Sequence, residues 1–214
     1  ARETLPAMKV NEIFFSIEGE GKRSGELAAF IRLTGCNLRC FYCDTRYAFN
    51  DGDEMSAAEI ADAVKDYRNV TLTGGEPLIQ NCHELLKLLS GHEVNIETNG
   101  SVDIAEYLGY ENVFFTMDFK CLSSGMMAAM SDRNLVLIRD RDVLKFVVGD
   151  KNDLAIAEYI ASNVEHKPLI YVSPVFGGIE PLEIVEFMKA RRLQNWRLQL
   201  QLHKIVWSPE ERGV

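Results

Sequence analysis

Cys36, Cys40 and Cys43 stand in the order Cys-x3-Cys-x2-Cys just after the apolar run Ala28-Ala29-Phe30-Ile31-Arg32-Leu33. That spacing lets three thiolates from one short loop converge on one metal centre. A [4Fe–4S] cluster normally takes four protein thiolates, so three leave one iron open to bind a small molecule and do chemistry on it. The competing readings are a zinc knuckle or a set of inert, buried thiols. Structural zinc wants four ligands, commonly as two separated pairs. No second Cys-x2-Cys occurs here, Cys82 and Cys121 are isolated, and His83, His92, His166 and His203 do not follow the loop at finger-like spacing. Ligand count and spacing favour the cluster and leave the roles of Cys82 and Cys121 open.

A second chemistry-bearing stretch is Thr73-Gly74-Gly75-Glu76-Pro77, which follows the β-branched run Val70–Leu72. Two glycines at a strand's C-terminal end let the backbone approach a ligand and expose its amide and carbonyl groups. Alone, a Gly-Gly pair reads as a plain turn. Glu97-Thr98-Asn99-Gly100 and Asp118-Phe119-Lys120 close the next two runs, and Ser173-Pro174-Val175-Phe176 closes a later one. Each brings polar groups to one rim, where a ribose, a carboxylate or a substrate can be held. Helix capping by Thr98 or Asn99 is the plainer alternative.

The elements that must position these residues follow from periodicity. Strand-like runs fall at Val10–Phe15, Ala28–Leu33, Val70–Leu72, Val94–Glu97, Val113–Met117, Val143–Val148, Leu169–Val172 and Trp196–Leu202. Ser56 with Glu59 makes a capping box ahead of a helix whose Ala57, Ile60, Ala61 and Val64 share one face. Further helices are expected at Cys82–Leu89, Asp103–Tyr107, Leu154–Asn163 and Pro181–Arg192. Strands alternating with helices predict a parallel sheet covered by helices, as a doubly wound sheet or a partial barrel, with the site at the strands' C-terminal ends. No internal repeat or low-complexity linker interrupts the pattern.

With 214 residues, 47% hydrophobic and 26% charged, the chain can bury one sizeable core, and 8–214 reads as one domain. Residues 1–7, ahead of a Met-Lys-Val that reads like a start, are expected to be an added leader. A net charge of −9 argues against general affinity for nucleic acid or anionic membranes. Five cysteines, an odd number, argue against a secreted disulfide scaffold, and no stretch is long and apolar enough to span a bilayer. The expected compartment is the cytoplasm.

Tyr42 stands immediately before Cys43, and the Gly-Gly-Glu string follows the cysteine loop by about thirty residues. Together these motifs resemble the signature of the radical S-adenosylmethionine superfamily, whose fold is a partial (β/α) barrel of parallel strands with outer helices. Ile13-Phe14-Phe15-Ser16-Ile17-Glu18-Gly19-Glu20-Gly21, then Gly25 and Phe30-Ile31-Arg32, narrow the resemblance to the 7-carboxy-7-deazaguanine synthase family. The similarity runs from about Val10 to Pro77, roughly the first third of the chain, and His203-Lys204 continue it.

This resemblance implies a residue-by-residue assignment. Cys36, Cys40 and Cys43 would hold the [4Fe–4S] cluster. Tyr42, Cys43, Asp44 and Gly75 would line S-adenosylmethionine, with Asp118, Phe119, Lys120 and Ser173 as further cofactor contacts. Ile17, Glu18 and Gly19 would touch the pterin ring of 6-carboxy-5,6,7,8-tetrahydropterin, and Arg32 would pair with its carboxylate, a role its planar fork suits. Arg32 as a plain ion-pair partner is the alternative. Thr45 would ligate a magnesium ion, Thr73 would reach the substrate, Glu97 would accept from its guanine-like edge, and Glu20, His203 and Pro209 would complete the pocket.

The implied reaction is a radical ring contraction that releases ammonia and forms 7-carboxy-7-deazaguanine for the pathway of queuosine and related 7-deazapurines. A flavodoxin- or ferredoxin-type reductant and a homodimer belong to the same resemblance. Two strand ends depart from it: Asp118-Phe119-Lys120 stands where Ser-Pro-Lys is common, and Ser173-Pro174 stands where glutamine often precedes the proline. The rival readings are a glycyl-radical enzyme activase and a non-catalytic iron–sulfur electron carrier. Glu18 to Gly21 with Arg32 speak against the first, and the open iron with its Gly-Gly-Glu ridge against the second.

Overall fold

A computed structural model describes residues 7–208 and 211–214. Pro209 and residues 1–6 of the expected leader lie outside the described residues. Nine strands form one sheet: β1 (Met8–Ile17), β2 (Leu27–Leu33), β3 (Asp53–Met55), β4 (Asn69–Gly74), β5 (Glu93–Thr98), β6 (Val113–Lys120), β7 (Val143–Val148), β8 (Leu169–Pro174) and β9 (Trp196–Leu198). Their order is β3-β1-β2-β4-β5-β6-β7-β8-β9. From β2 to β9 every neighbour is parallel, whereas β1 runs antiparallel to both β2 and β3. The two edges do not pair, so the sheet stays open, as a partial barrel requires. The antiparallel start is an addition to the expected parallel series.

Period-two alternation divides the sheet into unlike faces. Val70, Leu72, Ile96, Phe115, Met117, Leu144, Phe146 and Val172 are fully buried on one side. Each contributes about 1.5–3 kcal/mol relative to exposure. Helices α1 (Ala57–Val64), α2 (His83–Leu88), α4 (Lys151–Asn163) and α5 (Pro181–Arg191) belong to this side, with α3 (Asp132–Leu137) between β6 and β7 and α6 (His203–Val206) after β9. The other face carries Thr71 and Thr73, Asn95 and Glu97, Thr116 and Asp118, then Lys145, in strands that pair in register. The loop after β1 crosses this polar face: the Leu202 amide donates to the Gly19 carbonyl (3.0 Å), and Gln199 donates to the Gly21 carbonyl (3.2 Å).

Local signals explain most boundaries. The α1 capping box forms as expected, with the Glu59 amide donating to Ser56 Oγ and the Ser56 amide donating to the Glu59 carboxylate. Helix α4 starts at Lys151 rather than Leu154, because Asp150 accepts from the amides of Asn152 and Asp153. The run expected as a strand over Trp196–Leu202 stops at Leu198, and α6 begins at His203. Asp103–Tyr107 condenses to one 3-10 turn over Ala105–Tyr107. Strand β3 and helices α3 and α6 are too short for periodicity to reveal.

Candidate active site

The polar face and the C-terminal strand ends enclose a cavity of about 760 Å³. Its wall includes Ile17, Glu18, Gly19, Glu20, Arg32, Cys36, Cys40, Tyr42, Cys43, Asp44, Thr45, Thr73, Gly75, Glu97, Asp118, Lys120 and His203. Residues expected at the site from six separate stretches of sequence thus meet in one space.

The cysteine loop leaves β2 and is anchored at both ends. At its root the Glu76 amide donates to the Gly35 carbonyl (2.8 Å) and the Gly35 amide donates to the Ala48 carbonyl (2.8 Å). At its tip the Phe41 amide donates to the Ser124 carbonyl (3.0 Å), and Asn37 is tied to the end of β5 through Asn99 (3.1 Å) and Ser101 (2.8 Å). The Gly-Gly pair is needed for this packing. A Cβ at Gly75 would lie 2.3 Å from the Gly35 carbonyl oxygen and 2.6 Å from the Cys36 Cβ, and Gly74 holds φ +151°.

Three unpaired, partly exposed thiols on one loop are the donor set of a three-cysteine cluster. Burial pushes the Cys40 and Cys43 thiols up, so holding them as thiolates calls for a cationic centre. Cys82 and Cys121 are fully buried core residues away from the cavity, and burial pushes Cys82 up to about 12.

The remaining contacts assigned to the cofactor separate in the structure. Tyr42 donates its hydroxyl to the Val147 carbonyl (3.3 Å), which fixes its ring on the cavity wall. Lys204 reaches Asp44 (3.1 Å) and holds its carboxyl below the usual carboxylate range against the opposing effect of burial. Asp118 pairs with Lys120 (3.0 Å) through Oδ2 while its buried Oδ1 has no partner among the described residues, an acceptor suited to a ligand hydroxyl. Phe119 does not join the site, because strand alternation turns its ring to the apolar face against Phe146 (5.7 Å). Ser173 is buried on the polar face opposite Val147 of the cavity wall, its Oγ has no partner among the described residues, and Pro174, Val175 and Phe176 line the cavity beside it.

On the substrate side, Glu12 accepts from Arg32 Nε (2.7 Å) and from the Tyr47 hydroxyl (3.0 Å), and the guanidinium lies near the Phe14 and Tyr47 rings at 5.5 and 5.8 Å. The Nη edge of Arg32 is left without a protein partner among the described residues. Glu18 departs from a simple ligand role. Its carboxylate accepts from Arg23 (2.6 Å) and from Thr71, and both its amide and its carbonyl close the β1–β2 loop. Glu20 pairs with Lys145 and accepts from Gln201 (2.5 Å), so it pins the loop to β7 and the C-terminal segment. His203 packs on Gly19, where a Cβ would meet its ring at 2.2 Å. Thr45 donates to Asp44 (2.8 Å) and keeps its own lone pairs.

Two acids at neighbouring strand ends are pushed up to about 7, each chiefly by burial. Glu76 accepts from the amides of Asn99 (2.6 Å) and Leu78 (3.1 Å) and from Thr98 Oγ1 (2.9 Å). Glu97 faces the cavity, where Oε2 accepts from Thr73 (2.9 Å), and neighbouring Glu18 adds to the upward push. Lys145, Tyr47 and Glu12 are the residues that sequence reasoning missed, although the alternation of Lys145 with Leu144 and Phe146 marked it for the polar face.

Comparisons with known proteins now decide the family. The profile described as the Radical SAM superfamily matches residues 30–134. A protein of Clostridium acetobutylicum named 7-carboxy-7-deazaguanine synthase is 48% identical, covering 96% of this chain and 99% of its own length. One of the same name from Chlorobaculum tepidum is 39% identical and covers 99% of both chains. The chain belongs to the 7-carboxy-7-deazaguanine synthase family. The crystal structure of QueE from Escherichia coli shares the fold, with a TM-score of 0.73, 24% identity, and coverage of 90% of this chain and 92% of that one. As a radical S-adenosylmethionine enzyme, this family member uses a [4Fe–4S] cluster and S-adenosylmethionine, for which the three thiols and the Gly-Gly ridge are fitted.

Proposed function

We infer that the chain catalyses radical ring contraction of 6-carboxy-5,6,7,8-tetrahydropterin to 7-carboxy-7-deazaguanine, with loss of ammonia, in queuosine and 7-deazapurine biosynthesis. The observation that carries this reading is the cavity shared with the cysteine loop: Ile17, Gly19, Arg32, Thr73 and Glu97 line the same space. Held at Cys36, Cys40 and Cys43 and along the Gly-Gly ridge, the cluster and S-adenosylmethionine would supply radical hydrogen abstraction, and the protein's task is placement. Arg32, its Nε fixed by Glu12, presents its Nη edge to the carboxylate as a rigid fork. Glu97 accepts from the N–H groups of the guanine-like edge, and Thr73 orients the Glu97 carboxyl. The Phe14 and Phe30 rings, stacked at 4.7 Å, form an apolar wall beside the carboxylate.

Magnesium beside Thr45, with oxygen ligands from the hydroxyl, the substrate carboxylate and water, belongs to the same reading. So do a single domain over 8–214, a homodimer, a cytoplasmic location and a flavodoxin- or ferredoxin-type electron source. Pro209 stays a proposed substrate contact. The test is an anaerobic assay of cluster-reconstituted protein with S-adenosylmethionine, magnesium, dithionite and the tetrahydropterin, read by mass spectrometry. The expected result is 7-carboxy-7-deazaguanine, abolished by Cys40→Ala. Formation of 5′-deoxyadenosine without that product would overturn the substrate assignment.

A further inference from the structure

The polypeptide after α6 folds back onto the cavity. The Glu211 amide donates to the Ser208 carbonyl (2.9 Å), and residues 211–214 line the cavity wall. Gly213 holds φ +71°, and a Cβ there would lie 3.8 Å from the Phe14 Cβ, so this segment runs beside β1. Arg212 lies over the Tyr47 ring, with its guanidinium carbon 4.1 Å from the centroid. Arg32 lies near the same ring at 5.8 Å, and Arg32 Nε and the Tyr47 hydroxyl donate to one oxygen of Glu12. Two guanidinium groups from distant parts of the chain therefore meet around one ring at the carboxylate end of the cavity.

Their charges are not equivalent. Glu12 offsets the charge of Arg32, and Lys120, Lys145 and Lys204 of the same wall each pair with a carboxylate. Arg212 is the remaining lysine or arginine of the wall, and it has no carboxylate within ion-pair distance among the described residues. An anion at the Nη edge of Arg32 also stands near Glu12, whose charge opposes it. Arg32 alone thus offers a fork of donors with little net positive charge, whereas an anion taken out of water needs compensation.

We propose that Arg212 is a second cation for the substrate carboxylate and makes the cavity selective for carboxylated over neutral pterins. This rests on the pterin reading of the cavity. The two arginines divide the task. Arg32, fixed through Nε, sets the direction of approach, and Arg212 brings the charge that Glu12 takes from Arg32. Because Arg212 is seated on an aromatic ring rather than on an acid, its N–H donors stay available to an incoming oxygen. A pterin without the carboxylate gains nothing from either guanidinium, so the discrimination lies in the charged contact itself.

The test is titration calorimetry on anaerobic, cofactor-loaded protein with two probes, 6-carboxy-5,6,7,8-tetrahydropterin and 5,6,7,8-tetrahydropterin, which lacks the carboxylate. Wild type should prefer the carboxylated probe. Arg212 is exposed, so its replacement leaves the core untouched. Arg212→Gln is expected to weaken the carboxylated probe about tenfold, the scale of a hydrogen bond to a charged group, and to leave the neutral probe within about twofold. Arg212→Lys keeps the charge and should stay within about threefold of wild type for both. Lys189→Gln on α5 removes a charge elsewhere and should change neither. Equal weakening of both probes in Arg212→Gln would make Arg212 a packing residue on Tyr47 and overturn the proposal. Unchanged affinity for the carboxylated probe in Arg212→Gln, or an equal loss in Lys189→Gln, would overturn it too. A wild type with no preference between the probes would instead strike the substrate assignment, and the second cation with it.

Discussion

The ridge at the end of β4 and the cavity floor at the end of β5 each carry one glutamate, both pushed up to about 7 and set to different uses. Glu76 is fully buried, and its oxygens accept from two amides and a hydroxyl, so it welds the Gly-Gly turn to the end of β5. Glu97 has one side-chain donor, Thr73, and Oε1 has no protein partner among the described residues. Similar pKa displacement therefore does not mean similar function. A buried acid with its hydrogen bonds met is architecture, and one with acceptor capacity left over at a cavity is a ligand site.

Gly75→Ala should have the largest effect, because the new Cβ would meet Gly35 and Cys36 backbone and side-chain atoms that cannot move without shifting the cysteine loop. S-adenosylmethionine affinity should fall about a hundredfold, and overpacking should cost about 1–3 kcal/mol, read by calorimetric titration and denaturant unfolding. Glu97→Gln should lower kcat/KM about 10–100-fold, the scale of a hydrogen bond to a charged group, while leaving the melting temperature near wild type. Equal losses of activity and stability there would erase the distinction between ridge and floor.

Glu76→Gln is the converse. Its amide nitrogen must face one of the two backbone N–H donors, so unfolding should become about 1–3 kcal/mol easier. Both raised carboxyls also set a pH trend. Between the unfolded value near 4.5 and about 7 the native state binds more protons than the unfolded chain, so their contribution is complete below about 4.5 and is lost as pH rises through 7. Denaturant midpoints of Glu76→Gln across that range should fall less steeply than those of wild type. Far from both regions, Ser56→Ala should cost about 1 kcal/mol through the lost cap of α1 and leave activity intact.

Much of this was legible in the chain. Three cysteines in one loop and a Gly-Gly turn after a strand named the chemistry before any fold was known, because their meaning depends on local spacing. The helix caps at Ser56 and Asp150 are local too, and the Asp150 cap sets the start of α4 three residues ahead of the apolar periodicity that begins at Leu154. The two-faced sheet was written in Thr71-Leu72-Thr73, Asn95-Ile96-Glu97 and Thr116-Met117-Asp118. Phe119 was misplaced because its neighbours were read as a motif rather than as alternating strand positions. Partners that depend on register between distant strands, such as Glu12 with Arg32 and Glu20 with Lys145, leave no local trace. Nor does the commitment of Glu18 to Arg23 and Thr71, which requires the β1–β2 loop to lie across the polar face.

Calorimetric binding of 6-carboxy-5,6,7,8-tetrahydropterin to the cofactor-loaded enzyme, from about pH 5.5 to about pH 8.5, tests the contrast most directly. Ionisation of Glu97 strengthens its acceptance of hydrogen bonds. Affinity should therefore rise as pH passes about 7 in wild type and stay flat in Glu97→Gln. A flat wild-type profile, or the same rise in Glu97→Gln, would contradict the assignment of the floor to the substrate.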